Sequence, residues 1–239
     1  MKKIVYTLLA VVLFSATVFA QKTFNDVNAE KRTVSGFHGI EVGTGIELIL
    51  TAGNIEEVAV SADKTENRDK IVTKVESGIL KISYESKTDA VNKYKESKNL
   101  KAYVSYKSLD KLEVTTGASV KIDGVLKASS LDMKANTGAL VNGKIDVNSL
   151  KVSQNTGSKI TLSGSTEKLE IEGKTGSKFS GLELSTANCS VKVNTGAIIS
   201  VIANNKIEAK ASTGGIVKYM GNPSVKEIKK NTGGSVSKI

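Results

Sequence analysis

The stretch NTGSKITLSGSTEKLEIEGKTGSKFSGLELSTANCSVKVNTGAIISV, residues 155–201, carries one device three times. Around the glycine of each Thr-Gly pair, an apolar residue stands five before, a small residue directly after, and another apolar residue three after. Working outward, the pair recurs at Gly117, Gly138, Gly157, Gly176, Gly196, Gly214 and Gly233, in steps of 18 to 21 residues. Leu112, Met133, Val152, Ile171, Val191, Ala209 and Ile228 hold the first position; Ala118, Ala139, Ser158, Ser177, Ala197, Gly215 and Gly234 hold the second. Val120, Val141, Ile160, Phe179, Ile199, Val217 and Val236 hold the third. Chance in a chain of 39% hydrophobic content would almost never keep this template in seven of seven repeats.

A period near twenty belongs to stacked-coil architectures. Within each unit, β-branched and apolar residues alternate with polar ones, which gives strands of period two, too short for the 3.6-residue helical period. Glycine supplies a corner that a side chain would forbid, and the small residue after it lets the chain turn tightly. One coil cannot bury its apolar face alone, but stacked coils share a continuous core. The fold class expected is all-β, a parallel β-solenoid (β-helix) of about seven or more coils over residues 101–239. Asn136, Asn155, Asn194 and Asn231, two before their glycines, are expected to stack as an amide ladder, with the threonines stacking beside them.

Residues 21–100 differ. VSGFHGIEVGTGIELIL, EEVAVSA and GILKISY have strand patterns, Asp63–Ile71 fits a short helix or loop, and Glu85–Asn99 fits a charged loop. This part is expected to cap the solenoid, whose bare end would expose an apolar layer and an unpaired edge. Residues 1–20 have Lys2 and Lys3, an apolar run and Val18-Phe19-Ala20, the pattern of a cleaved signal peptide. No later run has the roughly 18 apolar residues of a membrane-spanning helix. Position 21 is Gln, so the cysteine that anchors bacterial lipoproteins is absent there, and an exported protein of periplasm, surface or medium is expected.

These segments, GFHGIEVGTGIELIL (residues 36–50), GILKISYESK (78–87), AYVSYKSLDKLEVTTGASVKIDG (102–124) and the terminal NTGGSVSKI (231–239), resemble in their order the head-GIN putative auto-transporter adhesin family of exported bacterial proteins. The resemblance covers nearly all of the chain after residue 20 and implies a right-handed β-helix with no catalytic residues. No translocator barrel follows the coils before Ile239, so transport of the chain by itself is not expected.

Searched for chemistry, the sequence offers little. Cys189, the single cysteine, falls in the register of Leu131, Leu150, Leu169 and Ile207 and fits a buried, inert thiol. His38, the single histidine, has no Ser or Cys partner at a telling spacing, and a zinc site lacks its usual ligands. Asp110, Asp123, Asp132 and Asp146 sit at different offsets from their glycines, not as the paired carboxylates of glycoside cleavage. No enzyme, cofactor or metal is expected, and a degenerate carbohydrate-active enzyme stays only as a distant alternative.

Charge says more. Residues 21–100 hold 12 Lys and Arg against 13 Asp and Glu, whereas residues 101–239 hold 20 against 11. In an exported protein such a surplus points to acidic glycans or an anionic envelope surface rather than nucleic acid. Four before the glycine, Lys192, Lys210 and Lys229 form a row of like charges on successive coils, with Lys159 and Lys178 as a shorter stack. Solvated lysines on an outer face are the ordinary reading of such a row; the functional one is a strip that meets an anionic polymer. The reading is a non-catalytic, adhesin-like binding protein. The alternative is a structural protein that assembles through its solenoid ends or faces. Intact-mass measurement of the exported protein should give a chain beginning at Gln21; retention of Met1–Ala20 would overturn the leader assignment.

Overall fold

A computed structural model describes residues 26–85 and 98–239. The leader over residues 1–20, the start at Gln21 and most of the Glu85–Asn99 loop lie outside the described residues. In chain order the elements are β1 (Glu30–Arg32), β2 (Gly39–Val42), β3 (Glu47–Ala52), β4 (Glu57–Ser61), the single helical turn α1 (Thr65–Arg68), β5 (Ile71–Glu76), β6 (Ile79–Tyr84), β7 (Lys101–Tyr106) and β8 (Lys111–Val114). Four long strands follow: β9 (Ser119–Ala135), β10 (Leu140–Gln154), β11 (Lys159–Gly173) and β12 (Lys178–Val193). The last are β13 (Ile198–Ile202), β14 (Lys206–Ala211), β15 (Ile216–Met220), β16 (Val225–Lys230) and β17 (Ser235–Lys238). The protein is all-β, a parallel β-solenoid in which each coil pairs in register with the next.

The corner governs the coil. Each Thr-Gly pair supplies the two central residues of a tight turn closed by a backbone hydrogen bond. Examples are Ala139 N–H to Asn136 O at 3.2 Å and Ser177 N–H to Lys174 O at 3.1 Å. Both central residues have positive φ, 42° to 56° for the threonines and 69° to 74° for the glycines, as in a type I′ turn. The sequence expectation gave the special backbone to glycine alone; threonine shares it, although a β-branched residue there is strained. The left-handed threonine turns its carbonyl along the solenoid axis, where it accepts the glycine N–H of the preceding coil. Gly138 N–H meets Thr156 O at 2.9 Å, Gly157 N–H meets Thr175 O at 3.0 Å, and Gly176 N–H meets Thr195 O at 3.0 Å. The backbone ladder therefore runs through the corner instead of stopping at it. Among the described residues no side-chain hydrogen bond joins these asparagines from coil to coil. Asn155 Oδ1 accepts Thr156 N–H at 2.8 Å and Asn194 Oδ1 accepts Thr195 N–H at 2.7 Å, so each braces its own turn.

Val120, Val141, Ile160, Phe179, Ile199, Val217 and Val236 are all buried and paired in sequence along one interior column. The column five before the glycine is buried from Leu112 to Ala209 and ends at Ile228, which is 40% exposed. The small residues after the glycines, Ala118, Ala139, Ser158, Ser177 and Ala197, are fully enclosed at the inner corner. Elsewhere the long strands bend within the coil. At Gly164, with φ 107°, a Cβ would lie 2.0 Å from the Ile145 carbonyl oxygen, so no larger residue fits that bend.

The ladder also reaches back across residue 100. Thr44-Gly45 forms another corner of the same kind, and Gly45 N–H meets Thr116 O at 3.0 Å. β2 pairs in parallel with β6 on one side and β8 on the other, and β3 does the same with β7 and β9. Residues 39–52 are thus a coil within the stack. Beyond β6 and β7 the pairing turns antiparallel, with β5 on β6, β4 on β7 and β1 on β4. These strands cover the N-terminal end. The bond from Tyr103 Oη to Asp26 Oδ2 at 2.7 Å ties the segment leading into β1 to β7.

Two substitutions test the corner. Gly176→Val puts a β-branched residue at φ 69° and should cost about 1–3 kcal/mol, while the exposed Lys178→Ala stays within about 0.5 kcal/mol. Thr175→Asn, which tolerates the left-handed region, should stabilise the fold by up to the ~1–2 kcal/mol of relieved strain, read as a higher melting temperature. Equal melting temperatures for all three variants would contradict this account of the turn.

Candidate binding face

Outward positions on strands β8, β14, β16 and the second halves of β9 to β12 form a flat face before the corner. The register makes a continuous outer column of Glu113, Lys134, Ser153, Glu172, Lys192, Lys210 and Lys229. Lys192, Lys210 and Lys229 are therefore neighbours on three adjacent strands, roughly 4.8 Å apart along the axis. All three are exposed, and among the described residues none forms an ion pair. Together with Asn194, Ser212 and Asn231 they line a shallow groove of about 350 Å³ that ends against Glu172.

The neighbouring column modifies the row. Two residues before the lysines stand Ser190, Glu208 and Glu227, which point to the same side of their strands. Glu208 and Glu227 are drawn to Lys206, which lies within ion-pair distance of both. Hydrogen bonding to Lys206 lowers the Glu208 pKa, and Lys210 contributes in the same direction through its charge. The strip is net basic and contains fixed carboxylates, which a reading of the lysine column alone missed. Lys159 and Lys178 pair in register on the other face, after the corner, beside Leu140 and Ile198. The seven glycines named from the sequence, Gly117 to Gly233, all lie at positive-φ corners, distant in role from any ligand.

The residues weighed for catalysis lie apart. Cys189 is buried between Leu169 and Ile207, and burial pushes its thiol up to about 12. His38 does have a partner: its Nδ1 lies 2.7 Å from Asp110 Oδ1, and its ring packs over Gly78. The two are 72 residues apart in the chain and meet only because β2 stacks on β8. Both are half-exposed, and no nucleophile is bonded to the pair. Asp146 pairs with Lys127 at 3.7 Å and accepts Ser165 Oγ–H at 3.1 Å. Among the described residues no three His, Cys, Asp or Glu side chains are grouped to hold a metal. No described helix is long and apolar enough to cross a membrane.

A register-locked stack of coils with polar columns on its outer faces defines a parallel β-solenoid whose variable surface is separate from its repeated corner. The chain belongs to the family described as "Putative auto-transporter adhesin, head GIN domain", which matches residues 36–223. None of the curated proteins matches it. Crystal structures of other chains share its fold. A putative adhesin from Bacteroides fragilis NCTC 9343 is 18% identical, with a TM-score of 0.78 over 88% of this chain and 96% of that one. A putative adhesin from Parabacteroides merdae ATCC 43184 is 16% identical, with a TM-score of 0.65 over 88% and 95%. A putative lipid binding protein from Parabacteroides distasonis ATCC 8503 is 20% identical, with a TM-score of 0.63 over 90% and 98%. None of these names is that of an enzyme.

The burial of Cys189 yields a direct test. A water-soluble thiol reagent should label it only as fast as the coil around it opens, with full labelling on denaturation. Immediate stoichiometric labelling of the native protein would place the thiol outside the core.

Proposed function

We propose that this chain is an exported, non-catalytic binding module of the cell envelope, which uses its solenoid as a rigid surface. Its ligand class is an anionic polymer or surface, such as an acidic glycan, met along Lys192, Lys210 and Lys229. The single observation that carries this reading is the register: three unpaired lysines on adjacent strands present a regular line of charge to a repeating polyanion. Like charges held side by side in a ladder repel, so the row is a cost to the fold unless solvent or a ligand offsets it. The wider field agrees in sign, since residues 204–239 hold 7 Lys against 2 Glu, while residues 26–85 hold 7 Lys and Arg against 11 Asp and Glu. The family name and those of the structural neighbours support a binding role over catalysis.

Exposed charges are screened beyond about 8 Å at physiological salt, so binding should be weak and salt-sensitive. On immobilised heparin, a triple Lys192→Gln, Lys210→Gln, Lys229→Gln variant should elute at lower salt than the wild type. Glu208→Gln with Glu227→Gln should elute at higher salt, because it removes the carboxylates beside the row. Equal elution of the triple variant and the wild type would reduce the lysines to a solvated face.

A further inference from the structure

The two ends of the solenoid are finished differently. Antiparallel strands β1, β4 and β5 cover the N-terminal end, whereas β16 pairs only with β14, and β17 only with β15. The last coil thus offers two strand edges to solvent, with Ile228 and Val225 partly exposed beside them. Such an edge is a template for another strand.

The inward positions of that coil break the pattern kept by the coils from Leu131 to Ala211. The column Leu131, Leu150, Leu169, Cys189, Ile207 is buried throughout and ends at Lys226. The column Ala135, Gln154, Gly173, Val193, Ala211 is likewise enclosed and ends at Lys230. Ile228 lies between them, at the end of a third interior column. On β17 the buried column Val201, Tyr219 ends at Lys238, and all three lysines are exposed and, among the described residues, form no ion pair. The coil also lies beyond residues 36–223, the part shared with the family.

We propose that Lys226, Lys230 and Lys238 close the C-terminal end of the solenoid to a second copy of this chain. Without them, the end would present an apolar interior flanked by two free edges, and two such ends would fit each other about a twofold axis. With them, end-to-end docking buries three ammonium groups from each copy in an apolar layer with no carboxylate at the inward positions of the facing coil. Uncompensated buried charges oppose contact more strongly than the two open edges favour it. A polar terminal coil is how a repeat stack is kept from continuing. The alternative assembly through solenoid ends is therefore disfavoured at this end.

The test gives each lysine an apolar residue that its own column already uses, as Lys226→Leu with Lys230→Val and Lys238→Val. Light scattering and small-angle X-ray scattering should show the wild type as a single copy. The variant should form a species of twice the mass and nearly twice the maximum dimension. Lys226→Glu with Lys230→Glu and Lys238→Glu, which keeps charge at all three interior positions, should remain a single copy. Lys226→Gln with Lys230→Gln and Lys238→Gln gives a second reading if the apolar variant folds poorly: removing charge alone should tighten association at least about tenfold. The proposal is overturned if the folded neutral variants stay single copies, if the wild type already pairs end to end, or if association leaves the maximum dimension unchanged.

Discussion

Everything in this protein depends on a strained turn that pairs with its own copies. A threonine in the left-handed region costs about 1–2 kcal/mol, and the corner is repeated eight times among the described residues, so on the order of ten kcal/mol opposes the fold at these positions alone. Each of the six turns from Thr116 to Thr213 is held because its threonine carbonyl and glycine N–H are both used by the ladder, and because the small residue beyond is packed inside. No single coil could sustain this. The strain is tolerable only when neighbours above and below share the hydrogen bonds and the interior columns, which is why coil number and fold are inseparable here.

That division of labour leaves the outside free. Positions that point inward, and the corner itself, are restricted to a few residue types, while the outward column holding Glu113, Lys134, Ser153, Glu172, Lys192, Lys210 and Lys229 takes either charge or none. The same scaffold can therefore present quite different lines of charge, and structural neighbours below a quarter identity share the fold.

Much of the coil was legible because solenoid physics is periodic. The spacing around each Thr-Gly pair placed the Val120-to-Val236 column in its observed register, and placed Cys189 among buried leucines. What escaped were features that break the period or cross it. Thr44-Gly45 carries apolar residues at both template positions but is followed by Ile46, whose bulk hid the match; the layer on its far side, β6 and β7, has no Thr-Gly corner. Gln154 is polar in an interior column because its Nε2 finds the Lys178 carbonyl at 3.1 Å, a bond that no pattern of apolar residues records. The meeting of His38 with Asp110 depends on the N-terminal coil being inserted beside β8, and chain spacing does not show that order. Glu208 and Glu227 were visible in the sequence, but only a two-dimensional map of the face sets them beside the lysine row.

The direction of the hydrogen bonds has a mechanical meaning. The strands lie across the axis and their ladders along it, so tension applied between the two ends pulls on one interface between coils at a time instead of shearing many bonds together. The last coil has a neighbour on one side only and should be the first to peel away, paying out a length of chain before the next coil feels the load. A stack built this way yields in steps and extends under force.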